Sequence, residues 1–375
     1  MKVSVHRIYT IIRETFRFWV KKPVSAVQLI QADVAQLMPT TIRDLAKQLN
    51  LSISTVSYAL NDGPRSVPAE VKEKVLRLAK ELDYRPNRIA RSMVTGRTFT
   101  IGVVPSDQFE NFILSPFILD CMNGIINECE KLNYDLLLFT RFSANEELKV
   151  ADSISDGRVD GLIFLAPLLG SKLIEIAHRR GVPLVITHSH HGEQYATYTT
   201  NNFDTVSIAV NHLVSLGHKR IAHVYGKQIL EDGIERRKAF EKLAKELQLT
   251  SPPEWQVPGY FTRESGYEAS LNILKSDNIP TAFFCSNDEM AVGVYQAATE
   301  LGFKIPEDIS IVGVDNGTYG SFMNPQLTTV SQNLYGIAVE SVRQLSNYIE
   351  NGKEPTSRQF KSELVVRGST AALVQ

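Results

Sequence analysis

Polar side chains follow several strand-like apolar runs in the second half of the chain. Asn287 comes two residues after the run Thr281–Cys285, and Asp315 directly follows Ile309–Val314. Arg236 lies beyond a third such run. Guanidinium, carboxylate and amide groups are planar donors and acceptors that suit the adjacent hydroxyls of a sugar. These residues therefore indicate a binding site for a small polar molecule.

The same residues have structural explanations that the sequence leaves open. Asp288 either contacts a ligand or caps the helix-like segment that follows it. Arg236 could pair with Glu231 or Glu235 instead of a ligand, and Asp315 could close a turn.

The sequence contains no motif for nucleophilic, phosphate-transfer or zinc-peptidase catalysis: Gly-x-Ser-x-Gly, a phosphate-binding loop and His-Glu-x-x-His are all missing. Cys121, Cys129 and Cys285 form no Cys-x-x-Cys pair, and this pattern predicts small buried residues in a reducing compartment. We therefore expect neither enzymatic activity, nor a cofactor, nor a metal.

The run His188-Ser189-His190-His191 follows the end of a strand-like segment. Adjacent residues of a strand point to opposite faces, so these imidazoles converge poorly on one ion. The run predicts solvated loop residues rather than a metal site. His188 could still bind a hydroxyl, because a neutral imidazole has one donor and one acceptor.

Strand-like runs alternate with helical patterns from residue 99 onwards, which is typical of a parallel, doubly wound sheet. The first series is Thr100–Val104, Tyr134–Thr140, Val159–Ala166 and Val182–Thr187, and the second is Arg220–Tyr225, Thr281–Cys285 and Ile309–Val314. Two series predict two lobes. Ligands of such folds bind beyond the carboxyl ends of the strands, which places the candidate residues in the cleft between the lobes.

Three short helices are predicted before this region. Thr41 and Asp44 have nearly the spacing of a capping box for the first helix, and Ser52 caps the second, which runs over 53–60. Pro68 begins the third helix at a first-turn position. Two short helices joined by a tight turn and braced by a third have helix-turn-helix geometry, whose second helix can present side chains to the major groove.

Charge is distributed unevenly along the chain. Residues 40–98 carry eleven Lys and Arg against six Asp and Glu, whereas residues 99–375 carry 23 against 33. A basic segment joined to an acidic domain suggests a polyanion such as nucleic acid as partner of the basic part, with a solvated basic face as the structural alternative.

A short basic segment follows the third predicted helix. Pro86 ends that helix, and residues 88–94 have the length of a two-turn helix, which is too short to be stable alone in water. The segment is therefore expected to fold against a partner. Arg88 and Arg91 would contact phosphates, and Met93 would wedge into the minor groove.

Several stretches match a known family of bacterial transcription factors. They are TIRDLAKQLNLSISTVSYALN, VKEKVLRLAKELDYRPN and ARSM before residue 99, then TIGVVP, LGHKRIAHVYG, SNDEMAVGVYQAATELGFKIPEDISIVGVDN and PQLTTVSQN. Together they resemble the lactose-repressor (LacI/GalR) family from Thr40 to the C-terminus. The resemblance implies a small all-α helix-turn-helix headpiece joined to an α/β periplasmic-binding-protein-like core of two doubly wound lobes.

The resemblance further implies a ligand-responsive repressor, a cytoplasmic homodimer that binds double-stranded operator DNA. The expected regions are an N-terminal extension (1–38), the headpiece (39–85), a hinge helix and linker (86–98) and an effector-binding and dimerisation domain (99–375). The first-lobe helix over 117–132 is expected in the dimer interface. The sequence after Gly368 has no heptad pattern, which favours a dimer over a tetramer.

Individual functions are also implied by the resemblance. DNA contacts are expected from Thr41, Ser52, Ile53, Ser54, Thr55, Ser57, Tyr58 and Asn61 in the headpiece and from Asn87, Arg88, Arg91 and Met93 in the hinge. Effector contacts are expected from Ser115, Phe117, His188, Arg236, Phe261, Asn287 and Asp315. His188 stands where the family often has Asp, Met93 where it usually has Leu, and Tyr58 where Arg or His is frequent. A sugar is the expected effector and a nucleobase the alternative.

The first 37 residues lie outside this resemblance. Ile8–Val20 is apolar but interrupted by Arg13, Glu14 and Arg17, so it is too short and too charged to span a bilayer and lacks the pattern of a signal peptide. A sugar-binding transport protein, the competing class, would need a signal peptide and no headpiece. An amphipathic surface helix and translation from Met38 are the alternatives for this segment.

Overall fold

The computed structural model describes residues 40–61, 66–85, 92, 96–106, 115–140 and 147–373. It divides into two units, residues 1–95 and 96–375. The predictions for residues 1–38, for the hinge residues Asn87, Arg88, Arg91 and Met93, and for the side chain of Asn61 lie outside the described residues.

The described residues of the first unit form three helices, α1 (Ile42–Gln48), α2 (Ile53–Asn61) and α3 (Ala69–Glu81). The Asp44 carboxylate accepts hydrogen bonds from the backbone N–H (2.9 Å) and the hydroxyl (2.7 Å) of Thr41. Ser52 Oγ accepts the Thr55 N–H at 3.0 Å, as its predicted capping role requires. Pro68 is the N-cap of α3, so the prediction that it lies in the first turn of this helix is wrong.

Apolar residues at helical spacing hold these three helices together. The buried ones are Leu45, Ala46, Val56, Ala59, Val75 and Ala79. The predicted helix-turn-helix is therefore a packed three-helix unit.

The second unit begins with an open parallel sheet and its helices, which form the first lobe. Its elements are β1 (Thr100–Pro105), α4 (Pro116–Lys131), β2 (Asp135–Leu138), α5 (Glu147–Ile154), β3 (Gly161–Leu165), α6 (Lys172–Arg179), β4 (Leu184–Thr187) and β5 (Thr197–Thr200). The strands β1, β3 and β4 are almost wholly buried, as expected for a parallel sheet covered on both faces.

A second sheet of the same kind forms the second lobe. Its elements are α7 (Asn202–Ser215), β6 (Ile221–Tyr225), α8 (Glu231–Glu246), β7 (Gln256–Pro258), α9 (Arg263–Leu274), β8 (Ala282–Cys285), α10 (Asp288–Glu300), β9 (Ser310–Asp315), α11 (Thr318–Phe322) and β10 (Thr328–Ser331). The last elements are α12 (Leu334–Asn351), β11 (Arg358–Phe360) and β12 (Glu363–Val365).

The order of strands shows how the chain passes between the lobes. The first sheet is β11-β5-β4-β3-β1-β2 and the second is β12-β10-β9-β8-β6-β7. The chain therefore crosses from one lobe to the other after β5, after β10 and between β11 and β12. Within both sheets the pairs are parallel except β10 with β12. The predicted architecture of two doubly wound lobes is confirmed.

The three cysteines are buried and reduced, as predicted. Within the described ranges, no helix is long and apolar enough to cross a membrane.

Candidate functional site

A cavity lies between the lobes, beyond the carboxyl ends of β3, β4, β8 and β9. All seven residues predicted to contact an effector line it: Ser115, Phe117, His188, Arg236, Phe261, Asn287 and Asp315. The strands bring them together because the carboxyl ends of parallel strands meet at one edge of each sheet.

Arg236 lies at the base of this cavity and is held from three sides. Its Nε donates to Asn202 Oδ1 at 2.9 Å, Nη1 to the Ser286 carbonyl at 2.7 Å, and Nη2 to Gln332 Oε1 at 2.7 Å. Asp232, one helical turn earlier, lies 3.3 Å from Nη2. A guanidinium fixed in this way is already oriented for a ligand.

The expected alternative pairings of Arg236 are wrong. Glu235 pairs with Lys238 on the exposed face of α8, and Glu231 pairs with His190 of the first lobe. The reason is helical geometry, because residues one or five positions away from Arg236 on α8 point away from it whereas Asp232, four positions away, lies on the same face.

Asp315 ends β9 and is buried beside Arg236. Its Oδ1 accepts the side-chain N–H of Gln332 at 2.5 Å. Its φ of +120° lies in a region that L-residues rarely adopt, and such backbone strain is concentrated at binding sites. Burial raises the pKa of Asp315 well above its ordinary value, opposed by the charge of Arg236 and reinforced by that of Asp288. A protonated carboxyl both donates and accepts hydrogen bonds.

Asn287, rather than Asp288, caps α10. Asn287 Oδ1 accepts the Met290 N–H at 3.0 Å, and its Nδ2 donates to the Phe261 carbonyl at 3.2 Å. Asp288 instead accepts hydrogen bonds from the Gly317 N–H (2.8 Å) and the Thr329 hydroxyl (2.6 Å) below the cavity. Both roles considered for Asp288 are therefore wrong, because α10 starts one residue earlier than expected and its first side chain turns into the lobe.

Two aromatic side chains form opposite parts of the wall. Phe117, in the first turn of α4, makes an edge-to-face contact with His188 at 4.9 Å between ring centroids. Phe261 adopts a positive φ of 65° in the segment before α9. A Cβ at Gly226 would lie 1.9 Å from the Phe261 ring, so only glycine at 226 leaves room for this ring position.

His188 is buried, which corrects the prediction that the whole histidine run is solvated. Its side chain is 3% exposed, and Nε2 lies 3.7 Å from Cys121 Sγ. Burial lowers the pKa of His188 to about 4, so the imidazole is neutral at pH 7. His190 is exposed, as predicted.

Direct contacts join the two lobes around the cavity. Ser115 Oγ donates to Glu289 Oε1 at 2.9 Å. Glu231 Oε2 accepts the Ser189 hydroxyl at 3.1 Å, and Glu231 Oε1 lies 2.7 Å from His190 Nδ1. These contacts span the opening, so the distance between the lobes is coupled to the geometry of the cavity.

Sequence reasoning missed several lining residues: Ala166, Lys227, Leu230, Asp232, Tyr260, Thr262, Glu289 and Gln332. Two of them carried a usable signal. Gln332 directly follows β10 and obeys the same strand-end rule as Asp315, and Asp232 stands four residues before Arg236, the spacing of a helical ion pair.

In the first unit, the side chains at the start of α2 lie at the surface. Thr41, Ser52 and Ser54 are exposed, Ile53 is 47% exposed, and Thr55, Ser57 and Tyr58 are half-buried. The first turn of α2 has no acidic residue. A helix N-terminus with small hydroxyl side chains and no negative charge is suited to approach phosphate and base edges.

Comparisons with known proteins agree with both units. A family model described as bacterial regulatory proteins, lacI family, matches residues 41–87, and one described as a periplasmic binding protein-like domain matches residues 210–370. The HTH-type transcriptional repressor PurR of Histophilus somni (strain 129Pt) is 33% identical over 89% of this chain and 99% of its own length. The chain belongs to the lacI family of bacterial regulatory proteins.

Solved structures of the lacI family have the same fold. The lac repressor dimer bound to operator and the anti-inducer ONPF is 26% identical, with a TM-score of 0.78 over 89% of this chain and all of that one. The regulator CelR in complex with cellobiose is also 26% identical, with a TM-score of 0.68 over 88% of this chain and 99% of that one. This lacI-family chain is accordingly a ligand-responsive, DNA-binding transcriptional regulator and not an enzyme.

Proposed function

We propose that this regulator senses a small sugar in the cleft between its lobes and represses transcription as a cytoplasmic homodimer. The observation that carries the choice of ligand is the network of Arg236, Gln332 and Asp315 at the base of the cavity. Gln332 accepts from Arg236 and donates to Asp315, so one amide fixes both a cationic donor and a carboxyl group. Adjacent hydroxyls, which both donate and accept, match such a pair.

The rest of the cavity supports a sugar as ligand. Asn287 and Glu289 add an amide and a carboxylate, and Phe117 and Phe261 supply apolar faces for the C–H surface of a sugar ring. CelR, whose structure contains cellobiose, has the same fold as this chain. We assign the seven predicted contact residues to the sugar, with neutral His188 offering one donor or acceptor to a hydroxyl.

A nucleobase is the second candidate, and the aromatic residues favour it. Phe117, Tyr260 and Phe261 all line the cavity, and aromatic rings stack on planar bases. A base has fewer donors and acceptors than a sugar, however. It would therefore use fewer of the polar groups that line the cavity than a sugar would.

For the DNA-binding unit we propose that Ile53, Ser54 and Tyr58 contact bases. Thr41, Ser52, Thr55, Ser57 and Asn61 would position the unit on phosphates, and Asn87, Arg88, Arg91 and Met93 would contact the minor groove. The surface position of the α2 N-terminus supports the first part of this assignment. In a two-fold dimer, two such helices would enter successive major grooves.

The proposed dimer interface includes α4. Leu119 and Ile126 lie seven residues apart on one side of this helix and are 42% and 47% exposed. Exposed apolar side chains at this spacing form a stripe that a second copy would cover. The family resemblance to a lac repressor dimer on operator supports the same assembly.

A thermal-shift screen of the full-length chain against monosaccharides, disaccharides and purines tests the ligand. A true effector at 100 times its Kd stabilises the folded chain by about 2.7 kcal/mol, which raises Tm by several degrees. The proposal expects this shift from a sugar. A shift from purines alone would replace the sugar with the second candidate.

The DNA function is tested with duplexes selected from a random pool by the full-length protein. Ser54→Asp places a negative charge at the proposed base-contacting position of α2 and should lower affinity for the selected duplex at least about tenfold through phosphate repulsion. Glu73→Asp is the control and should have no effect, because Glu73 is an exposed residue of α3. If the two variants bind the selected duplex with equal affinity, the proposal that α2 contacts DNA is wrong.

A further inference from the structure

A single carboxylate holds the segment through which the chain enters the second unit. Asp160 Oδ1 accepts the Thr98 N–H at 2.6 Å and the Thr98 hydroxyl at 2.8 Å, and Oδ2 accepts the Phe99 N–H at 2.8 Å. The Asp160 side chain is only 6% exposed. Three hydrogen bonds to a shielded carboxylate fix the backbone of residues 98–99, since bonds to charged acceptors are the strong ones.

The side chain that precedes these two residues is held at the same place. The Arg97 guanidinium lies 4.9 Å above the Phe99 ring centroid and donates to the Tyr134 hydroxyl. It also lies 3.8 Å from Asp160 Oδ2 and 3.6 Å from Glu350 Oε1. We call Asp160, Tyr134 and Glu350 the linker clamp.

The linker clamp lies at the far end of two rigid elements that begin at the cleft. Strand β3 starts directly after Asp160 and ends at Leu165, next to the lining residue Ala166, a span of about 20 Å. Helix α12 starts two residues after the lining residue Gln332 and carries Glu350 near its other end, about 27 Å away.

These two elements are packed tightly against each other beside the clamp. A Cβ at Gly161 would lie 2.9 Å from the Cδ1 atoms of both Leu345 and Ile349. The start of β3 and the last turns of α12 therefore cannot shift independently. Densely packed elements transmit a displacement instead of absorbing it.

We propose that the linker clamp is where occupancy of the cleft reaches the DNA-binding unit, with Asp160 as the positioning residue. Closure around a ligand moves Ala166 and Gln332. The elements β3 and α12 transmit this displacement to the linker clamp, which then changes the position of residues 97–99. These residues directly follow Gly96, where the second unit begins. This inference rests on the proposed effector site.

Covalent locking of the cleft tests the clamp without an identified ligand. The Leu169 N–H donates to the Ile229 carbonyl across the lobes at 3.4 Å. This proximity suits a disulfide, whose Cα atoms lie about 4.4–6.8 Å apart. Both side chains are exposed, at 44% and 48%, and neither lines the cavity. Leu169→Cys with Ile229→Cys therefore gives a lock that oxidation closes and dithiothreitol opens.

The native thiols do not interfere with this lock, because all three are buried and burial raises the pKa of each. The measured quantity is the ratio of the Kd values for the selected duplex in the oxidised and reduced states, at one salt concentration. In the variant that carries the disulfide, we expect the two Kd values to differ by about 5–150-fold. The test holds whichever state binds the duplex more tightly.

Asp160→Asn in the locked background should bring this ratio to within about twofold of one, because coupling is lost while each state still binds DNA. Asp156→Asn is the matched control, since Asp156 is exposed on the same loop and pairs only locally with Arg158. It should keep the full ratio. Thr98→Val removes one of the three hydrogen bonds without touching the core and should give an intermediate ratio, which also decides the case if Asp160→Asn does not fold.

The outcomes separate the two hypotheses. If the lock alters DNA affinity but Asp160→Asn and Thr98→Val keep the full ratio, the clamp is overturned and the proposed function stands. If the lock leaves affinity unchanged in the background, cleft closure does not control DNA binding, and the proposed switch is overturned together with the clamp.

Discussion

The two walls of the cleft are built differently although the two lobes share one fold. The second lobe contributes a polar wall in which Arg236, Asn287 and Asp315 are each held by hydrogen bonds within the protein. The first lobe contributes fewer polar groups and no charged side chain: Phe117 and Ala166 are apolar, and Phe117 packs on the buried, neutral imidazole of His188. The difference suggests that the second lobe orients the ligand and the first lobe closes over it.

The free-energy cost of burying polar groups without partners explains why the two walls differ. Polar side chains that must be fixed in advance need neighbours that satisfy them, and the second lobe supplies these through Asn202, Ser286 and Gln332. A wall that moves on closure is better apolar, because its separation from the ligand leaves no buried polar group without a partner.

Among the variants of the polar wall, Arg236→Met should have the largest effect on stability. The substitution leaves Asp232 without its cation and removes one of the two donors to Gln332 Oε1, since the Thr200 hydroxyl is the other. We expect the second lobe to lose about 3–5 kcal/mol of stability, since one partner of a buried ion pair is removed. Chemical denaturation measures the loss, and the thermal shift with the best sugar of the screen should disappear.

Arg237→Met is the control for this prediction. Arg237 is the next residue of α8 but is 39% exposed and pairs with Glu241 at the surface. Its loss should cost no more than about 1 kcal/mol, as for other exposed pairs. Equal losses for the two variants would show that burial of Arg236 does not set its importance.

The sequence predicted this wall in part, and the limits have physical causes. Asn287 and Asp315 were found because parallel strands gather their carboxyl ends, and that rule needs only the positions of the strands. Asp288 was misjudged because a shift of one residue in a helix start rotates a side chain by about 100°. The partners that hold Arg236 come from α7, from the end of β8 and from the segment after β10, so only the folded chain brings them together.

The headpiece was predictable in more detail than the cleft. Its capping contacts, Thr41 with Asp44 and Ser52 with Thr55, join residues three positions apart. Local hydrogen bonds of this kind are encoded by spacing alone. His188 shows the opposite case, because its burial depends on α4, which is distant in the sequence.

Asp315→Ala tests how much one carboxyl group of the polar wall contributes to sugar affinity. The Gln332 amide would lose its acceptor and the ligand one polar contact, so sugar affinity should fall about 10–100-fold, equivalent to about 1–3 kcal/mol. Because the pKa of Asp315 is raised, Asp315→Asn, which also donates and accepts, should retain more affinity than the alanine variant. Calorimetric titration with the sugar measures both.

Glu307→Ala serves as the control for Asp315, since it removes an exposed carboxylate shortly before the same strand. It should leave sugar affinity unchanged. An affinity for Asp315→Asn as low as that for Asp315→Ala would mean that the ligand requires an ionised carboxylate.

Phe117→Ala tests the wall of the first lobe and should have a smaller effect. Loss of its ring contact should weaken sugar binding by about 1 kcal/mol, or about fivefold, because one aromatic face is removed from the sugar. Phe203→Ala, an exposed phenylalanine on α7, is the control. A loss equal to that of Asp315→Ala, in the same titration, would contradict the division between an orienting wall and a closing wall.

The smallest expected effect concerns the pair that joins the walls at the opening. The hydrogen bond with Glu231 raises the pKa of His190, although burial opposes it. A raised histidine pKa adds stability that is complete below about 6.5 and is lost as pH rises through the folded-state value. Because His190 is 53% exposed, we expect less than about 1 kcal/mol.

The measurement is the free energy of unfolding at pH 6 and at pH 9 for the wild-type chain and for His190→Gln. The variant should lose the small excess stability of the wild type at pH 6 and match it at pH 9, because glutamine carries no charge at either pH. His178→Gln is a control on a helix of the first lobe, away from the opening. If His190→Gln retains the full pH dependence, the His190–Glu231 pair adds nothing to closure, and the lobes are then joined by the hydrogen bonds of Ser115 with Glu289 and of Ser189 with Glu231.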